Sequence, residues 1–182
     1  MASAFSHGFL AFFLGKAFNY SGWKVLSLGI FCSVLPDIDV IAFKFGIPYA
    51  HPFGHRGFTH SIFFAIVLSV TIKVFLFYKE AFFTKKSCYL ILFFFLATLS
   101  HGVLDAATNG GLGVAFFFPI DNTRYFFTYR PIQVSPIGIK NFLSEWGFRV
   151  VLSEIKFVVF PTLFFFLIIY LIKKLFRLDR NI

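Results

Sequence analysis

Long apolar runs with short polar punctuation dominate the pattern of this chain. They predict about five helical segments that enter or cross a bilayer: roughly residues 4–18, 22–35, 59–78, 87–107 and 154–176. The third and fourth match a hydrocarbon core that needs about 20 residues; the first two are short and require tilt or completion by flanking turns. Pro161 inside the fifth predicts a kink. Lys16–Lys24 and Lys79–Lys86 read as short connectors, and 40–58 and 108–153 as longer loops with Gly, Pro and aromatic residues. There is no internal repeat and no disordered tract, so 1–182 reads as one integral membrane domain.

The alternation of spans has a geometric consequence. His7 begins the first, Asp37 and Asp39 follow the second, and His60 begins the third. His101 and Asp105 end the fourth, and Glu154 begins the fifth. If all five cross, these residues share one membrane face. Lysines and arginines crowd the other face in short connectors and the tail: Lys16, Lys24, Lys79, Lys85, Lys86, Lys173, Lys174, Arg177 and Arg180. Short loops weigh most in the positive-inside rule. It therefore predicts a cytoplasmic C-terminus and a polar cluster on the non-cytoplasmic face.

Composition agrees with the membrane assignment. Hydrophobic residues make up 58%, charged residues only 14%, and 32 of the residues are Phe. A soluble domain carries about a quarter charged residues. The net charge of +9 is spread over loops and span ends. That suits anionic headgroups, and with no basic run long enough to track a phosphate backbone, nucleic acid is not an expected partner. Cys32 and Cys88 lie in apolar segments and form no motif. The N-terminus lacks a positive n-region and carries His7 within its apolar stretch, which argues against a cleaved signal peptide.

The chemistry sits in four short stretches. Ionisable side chains at a membrane margin are costly, so several together point to a metal or catalytic site. His101 and Asp105 are four apart on a helix and share a face. Asp37 and Asp39 are two apart beside Pro36. A turn is needed if both are ligands; otherwise one binds and the other orients a histidine. His55 and His60 flank a glycine-bearing turn, with Thr59 as a candidate cap for the third span. Arg56 reads as a phosphate or carboxylate clamp. His51 reads as a loop residue. Glu154 is either a further ligand or a helix-start carboxylate favoured by the macrodipole. Imidazole and carboxylate without thiolate suit Zn, Mn or Fe, as one or two ions. The aromatic stretches Phe116–Phe118 and Tyr125–Phe127, with Tyr129 and Trp146, read either as a loop in the headgroup layer or as core packing.

These stretches resemble a known family. His7, Leu-Pro-Asp-Ile-Asp at 35–39, Gly-His-Arg-Gly-Phe-Thr-His-Ser at 54–61 and Ser-His-x-x-x-Asp at 100–105 are similar to the YdjM-like family of inner-membrane metal-dependent hydrolases. The likeness continues through 108–119 and 130–138 and covers most of the chain. The order of residues is also distantly similar to part of the zinc-dependent phospholipase C and single-strand nuclease superfamily. On that pattern His7, Asp37 or Asp39, His60, and His101 with Asp105 are ligands. No histidine follows His101, so the resemblance implies one or two ions rather than a three-zinc cluster, with Glu154 in the place of a later acidic ligand.

The expectation is an all-α polytopic membrane bundle with a metal site at one interface, in a bacterial inner membrane. Its metal residues are His7, Asp37, Asp39, His55, His60, His101 and Asp105. Its catalytic residues are Asp39, Arg56 and Glu154, with Asp39 or Glu154 positioning or deprotonating the attacking water. The expected activity is metal-dependent hydrolysis of a phosphoester in a lipid or lipid-linked substrate. The alternatives are a metal or proton transporter, which requires polar residues through the spans, and a non-catalytic protein with a structural ion.

Overall fold

The computed structural model describes residues 1–176. It is all-helical, with no strand among the described residues. Helix α1 (Ala4–Ala17) starts at Ser3, whose Oγ accepts from the Ser6 N–H. Helix α2 (Trp23–Val34) runs on as a 3-10 segment, Leu35–Phe45, which stops at Gly46 in the left-handed conformation. A 3-10 turn, Phe58–His60, precedes α3 (Ile62–Leu76). Helix α4 (Lys85–Ala106) follows, capped by Thr84. After an irregular stretch come α5 (Ile139–Phe142), α6 (Glu145–Glu154), a π-helical turn (Ile155–Val159) and α7 (Phe160–Phe176).

Three helical runs are long and apolar enough to cross a membrane: Trp23–Phe45, Lys85–Ala106 and Glu145–Phe176. α3 is a shorter apolar helix and α1 shorter still. Three expectations are corrected. The second run does not end before the aspartates, because Pro36 enters the 3-10 segment at a position that needs no N–H donor. Ser61 rather than Thr59 caps α3, its Oγ accepting from Phe64 N, so His60 stands just ahead of the helix. The last run begins at Glu145, not Glu154. Pro161 lacks an N–H and crowds the carbonyl four residues back, and the π-helical turn ahead of it widens the helix there.

α4 lies at the centre and packs on α1, α2 and α3, while α7 leans on α1. The core is Ala11, Cys32, Leu90, Phe93, Phe94 and Ala97. Phe93 lies so close to α2 that a Cβ on Gly29 would stand 2.3 Å from its ring. Small residues at such crossings let backbones approach in apolar surroundings. The outer faces are apolar too: Phe31, Phe75, Phe164 and Leu171 are exposed.

Contacts fix the alternation of the helices. At one end, Lys173 donates to the Ala17 carbonyl and Asn19, Lys24 to the Leu76 carbonyl, and Lys73 to the Glu80 carbonyl. Ammonium groups thus satisfy carbonyls at or just beyond helix C-termini, where the macrodipole favours them. Arg177 and Arg180, counted with this end in the sequence, lie outside the described residues. His7, Asp37, Asp39, His55, His60, His101, Asp105 and Glu154 gather at the other end. Asn19 and Lys73, the far-half polar residues that a transport path would use, are committed to these helix-end contacts.

Candidate metal centre

Four helical elements bring the site together. The α1 N-terminal turn supplies His7, the 3-10 segment after α2 supplies Asp37 and Asp39, the turn before α3 supplies His60, and the last turns of α4 supply His101 and Asp105. A 3-10 helix turns about 120° per residue. Residues two apart therefore look in different directions, and the two aspartates meet opposite sides of the His60 ring. Asp37 Oδ1 lies 3.8 Å from His60 Nε2 and 3.3 Å from His101 Nε2. Asp39 Oδ2 lies 3.1 Å from His60 Nδ1.

Hydrogen-bond partners assign the tautomers. His101 Nδ1 sits 2.7 Å from the Ser33 carbonyl oxygen, which can only accept, so Nδ1 carries the hydrogen. His60 Nδ1 faces the Asp39 carboxylate and carries its hydrogen for the same reason. In neutral rings both Nε2 atoms are then bare lone pairs. Yet they face each other at 3.0 Å. Two lone pairs at that distance need a cation between them, either a proton or a metal ion.

The surroundings fit a metal. Asp37, His60, His101 and Asp105 each offer one ligand atom within a span that could hold an ion. Five of the six edges of this tetrahedron are 3.0, 3.3, 3.6, 3.8 and 3.9 Å. A tetrahedral ion with bonds of ~2.0–2.1 Å has edges of about 3.3–3.4 Å. Asp37 Oδ1 is buried without a hydrogen-bond partner. Buried carboxylates without a counter-charge are costly. Asp37, Asp39, Asp105 and Glu154 put four carboxylates at this end, where Arg56, paired with Asp105, is the one fully buried guanidinium among the described residues, so the side chains leave an excess of negative charge for a cation.

The other expected site residues are placed as follows. Asp39, expected as a ligand, as the carboxylate that orients a histidine, or as the base for the attacking water, is surrounded by donors. His55 Nδ1 lies 2.6 Å from its Oδ1; the Arg56 N–H, the Thr59 hydroxyl and His60 surround its Oδ2. It is placed to orient His60, as carboxylates do behind metal-binding imidazoles. Asp39, His55 and His60 form a second group close enough to hold an ion, in which His55 Nδ1 already meets Asp39 Oδ1. His51 is exposed and bonds the Phe53 N–H nearby in its own loop.

Arg56 is not an open clamp. It is fully buried, its Nε donates to Asp105 Oδ2 at 2.9 Å, and its Nη1 and Nη2 donate to the Gly110 carbonyl and Thr108 Oγ1. Every guanidinium nitrogen is thus occupied by protein. Its backbone sits at φ +63°, a left-handed conformation uncommon for a side chain of this size. Gly111 makes the arrangement possible: a Cβ there would stand 2.6 Å from Tyr49 Oη and 2.7 Å from Arg56 Nη1. Burial pushes the Tyr49 phenol above its ordinary pKa, so it stays neutral beside the guanidinium.

Glu154, expected as catalytic, is committed elsewhere. It accepts from the Ser3 N–H at 2.5 Å and from Ser3 Oγ at 2.6 Å, at the start of α1. Free amides at a helix start attract a carboxylate. His7 is the reverse case. It is fully buried, stacks on His101 with ring centroids 3.8 Å apart, and lies 3.6 Å from Asp105 Oδ1. Neither ring nitrogen has a hydrogen-bond partner. Sequence reasoning missed the backbone donors and acceptors: the Ser33 and Gly110 carbonyls and the Ala2 N–H, which reaches Asp105 Oδ1 at 2.7 Å. Side-chain identity carries no signal for these. Ser3 and Thr108 were also missed, although a serine just ahead of an apolar run is a cap signal.

Comparison with known proteins gives the setting for this geometry. No solved structure matches the chain. It is 37% identical over 138 residues to the inner membrane protein YbcI of Escherichia coli (strain K12), covering 76% of this chain and 78% of that one. The family described as YdjM inner membrane protein matches residues 1–179. Aligned over nearly its whole length, with a buried histidine–aspartate cluster at one end of an apolar bundle, the chain belongs to the YdjM inner membrane protein family.

Proposed function

We propose that this protein is an inner-membrane, metal-dependent hydrolase of a phosphoester in a lipid or lipid-linked substrate. The observation that carries the reading is the pair of bare imidazole nitrogens facing each other at 3.0 Å between two carboxylates. His60, His101, Asp37 and Asp105 would hold one divalent ion, Zn or else Mn or Fe. Such an ion supplies an acidified water and positive charge for the reacting phosphoryl group.

The protein's own groups do the rest. Asp39 holds the His60 ring through Nδ1, and the Ser33 carbonyl does the same for His101. Arg56 and the Ala2 N–H fix both oxygens of Asp105. His7 has neither nitrogen engaged, stands 3.6 Å from Asp105 Oδ1 and would offer a further lone pair beside the ligands. Of these four residues Asp37 is the one whose side chain reaches the surface, at 13% exposure, so water would enter on its flank. A non-cytoplasmic site and a cytoplasmic C-terminus follow from the lysine-rich connectors at the other end.

The count of four donors favours a second reading. Four protein ligands close a tetrahedral shell, as structural ions require. One experiment separates the two. Purified protein loaded with Zn or Mn is assayed on phospholipids, isoprenyl phosphates and nucleotides. Hydrolysis that a chelator abolishes, with metal and activity both lost in His60→Ala and Asp105→Ala, supports the enzyme. A fully loaded wild type inactive on the whole panel makes the ion structural.

A further inference from the structure

An apolar groove begins where the polar site ends. It is a cavity of about 280 Å³ between α1 and α7 that reaches Leu104, the neighbour of Asp105, at its site end. Its α1 wall is Leu10, Phe13, Leu14 and Ala17. Leu10 and Leu14 stand three and seven residues after His7, one and two helical turns on from it. The opposite wall includes Val158, four residues after Glu154, and further along α7 Phe165 and Ile169. The groove therefore starts about one turn from His7 and Glu154 and runs away from the cluster between α1 and α7. The π-helical turn and Pro161 lie along it, where α7 is widened and its backbone is one donor short.

Length argues for what lies there. From Val158 to Ile169 the helix rises roughly 16 Å, at ~1.5 Å per residue. A hydrocarbon chain hanging from one interface reaches the bilayer midplane after about 15 Å, half of a ~30 Å core. We propose that this groove holds one hydrocarbon chain of the lipid substrate, with its phosphoester headgroup at the His–Asp cluster. The inference rests on the phosphoester reading above and sharpens it: the substrate is recognised by chain as well as by headgroup. A soluble phosphoester lacks the chain and is the poorer substrate.

The test fills the groove from its wall with Thr162→Trp. The control is Ile66→Trp, in a separate apolar crevice between α3 and α4. The first readout is the ratio of turnover on a long-chain phospholipid to that on a short-chain, water-soluble analogue. The expected result is a fall in that ratio of roughly tenfold or more in Thr162→Trp, with Ile66→Trp like wild type. The second readout needs no turnover: lipid retained by detergent-purified protein, counted by native mass spectrometry. Wild type and Ile66→Trp keep one lipid that Thr162→Trp loses, all three eluting as single species. Lipid retained equally by all three, or lost alike from both variants, means annular lipid only and overturns the proposal. A wild type inactive on both chain lengths that still retains its lipid retires the phosphoester reading instead, and the groove stands as a lipid site.

Discussion

Replacing Arg56 with Met keeps most of the side-chain volume and removes the charge. Asp105 Oδ2, Thr108 Oγ1 and the Gly110 carbonyl each lose a donor inside a fully buried site. Removing one partner of a buried ion pair costs about 3–5 kcal/mol, because the other charge is left uncompensated. For a chain of this size each kcal/mol moves the melting midpoint by about 2–4 °C. The expected drop is therefore roughly 6–20 °C in the presence of a chelator. A divalent ion beside Asp105 restores part of the missing positive charge, so added Zn or Mn should narrow the gap between variant and wild type. Arg56→Lys should fall between them, since an ammonium keeps the charge but cannot reach three acceptors in a fork. The assay is thermal unfolding of the purified protein in detergent, with metal content measured in parallel. Wild-type stability in chelator, with only turnover reduced, would refute the reasoning. It would show Arg56 acting on substrate rather than on Asp105.

His101→Ala should lose the ion, because the tetrahedron loses a corner and the Ser33 carbonyl its donor; elemental analysis of purified protein checks this, and full occupancy would exclude His101 as a ligand. Glu154→Ala should behave oppositely, keeping the ion while losing roughly 2–3 kcal/mol from the start of α1, where Ser3 gives up charge-assisted bonds; an ion-free but stable variant would make Glu154 a ligand after all. Gly111→Ala should destabilise by about 1–3 kcal/mol, since its φ of +87° and the contacts with Tyr49 and Arg56 both oppose a Cβ; an unchanged melting curve would contradict it. A reporter active only outside the cytoplasm, fused after Ile182, should stay silent, and a strong signal would invert the proposed orientation.

Apolar run length was enough to establish the helical membrane class, because a bilayer imposes about 20 apolar residues on any span and allows no unpaired backbone. The alternation of runs then placed His7, Asp37, His60, His101 and Asp105 at one end without any knowledge of packing. Pairing was beyond the sequence. Helices with apolar outer faces, such as those bearing Phe75 and Phe164, show little contrast between lipid and core sides, so periodicity does not mark the inner face. The length of the 3-10 segment was equally hidden, and it decides that Asp37 faces the bare nitrogens while Asp39 holds the far side of His60. Arg56 and Glu154 show the same limit. A charge near a cluster reads as a functional group, but its role depends on which partners the fold brings to it. Here those partners come from distant segments: Thr108 and Gly110 for Arg56, and Ser3 for Glu154. The membrane selects composition and length along the chain, whereas the exchange of hydrogen bonds among buried groups is settled only when the helices pack.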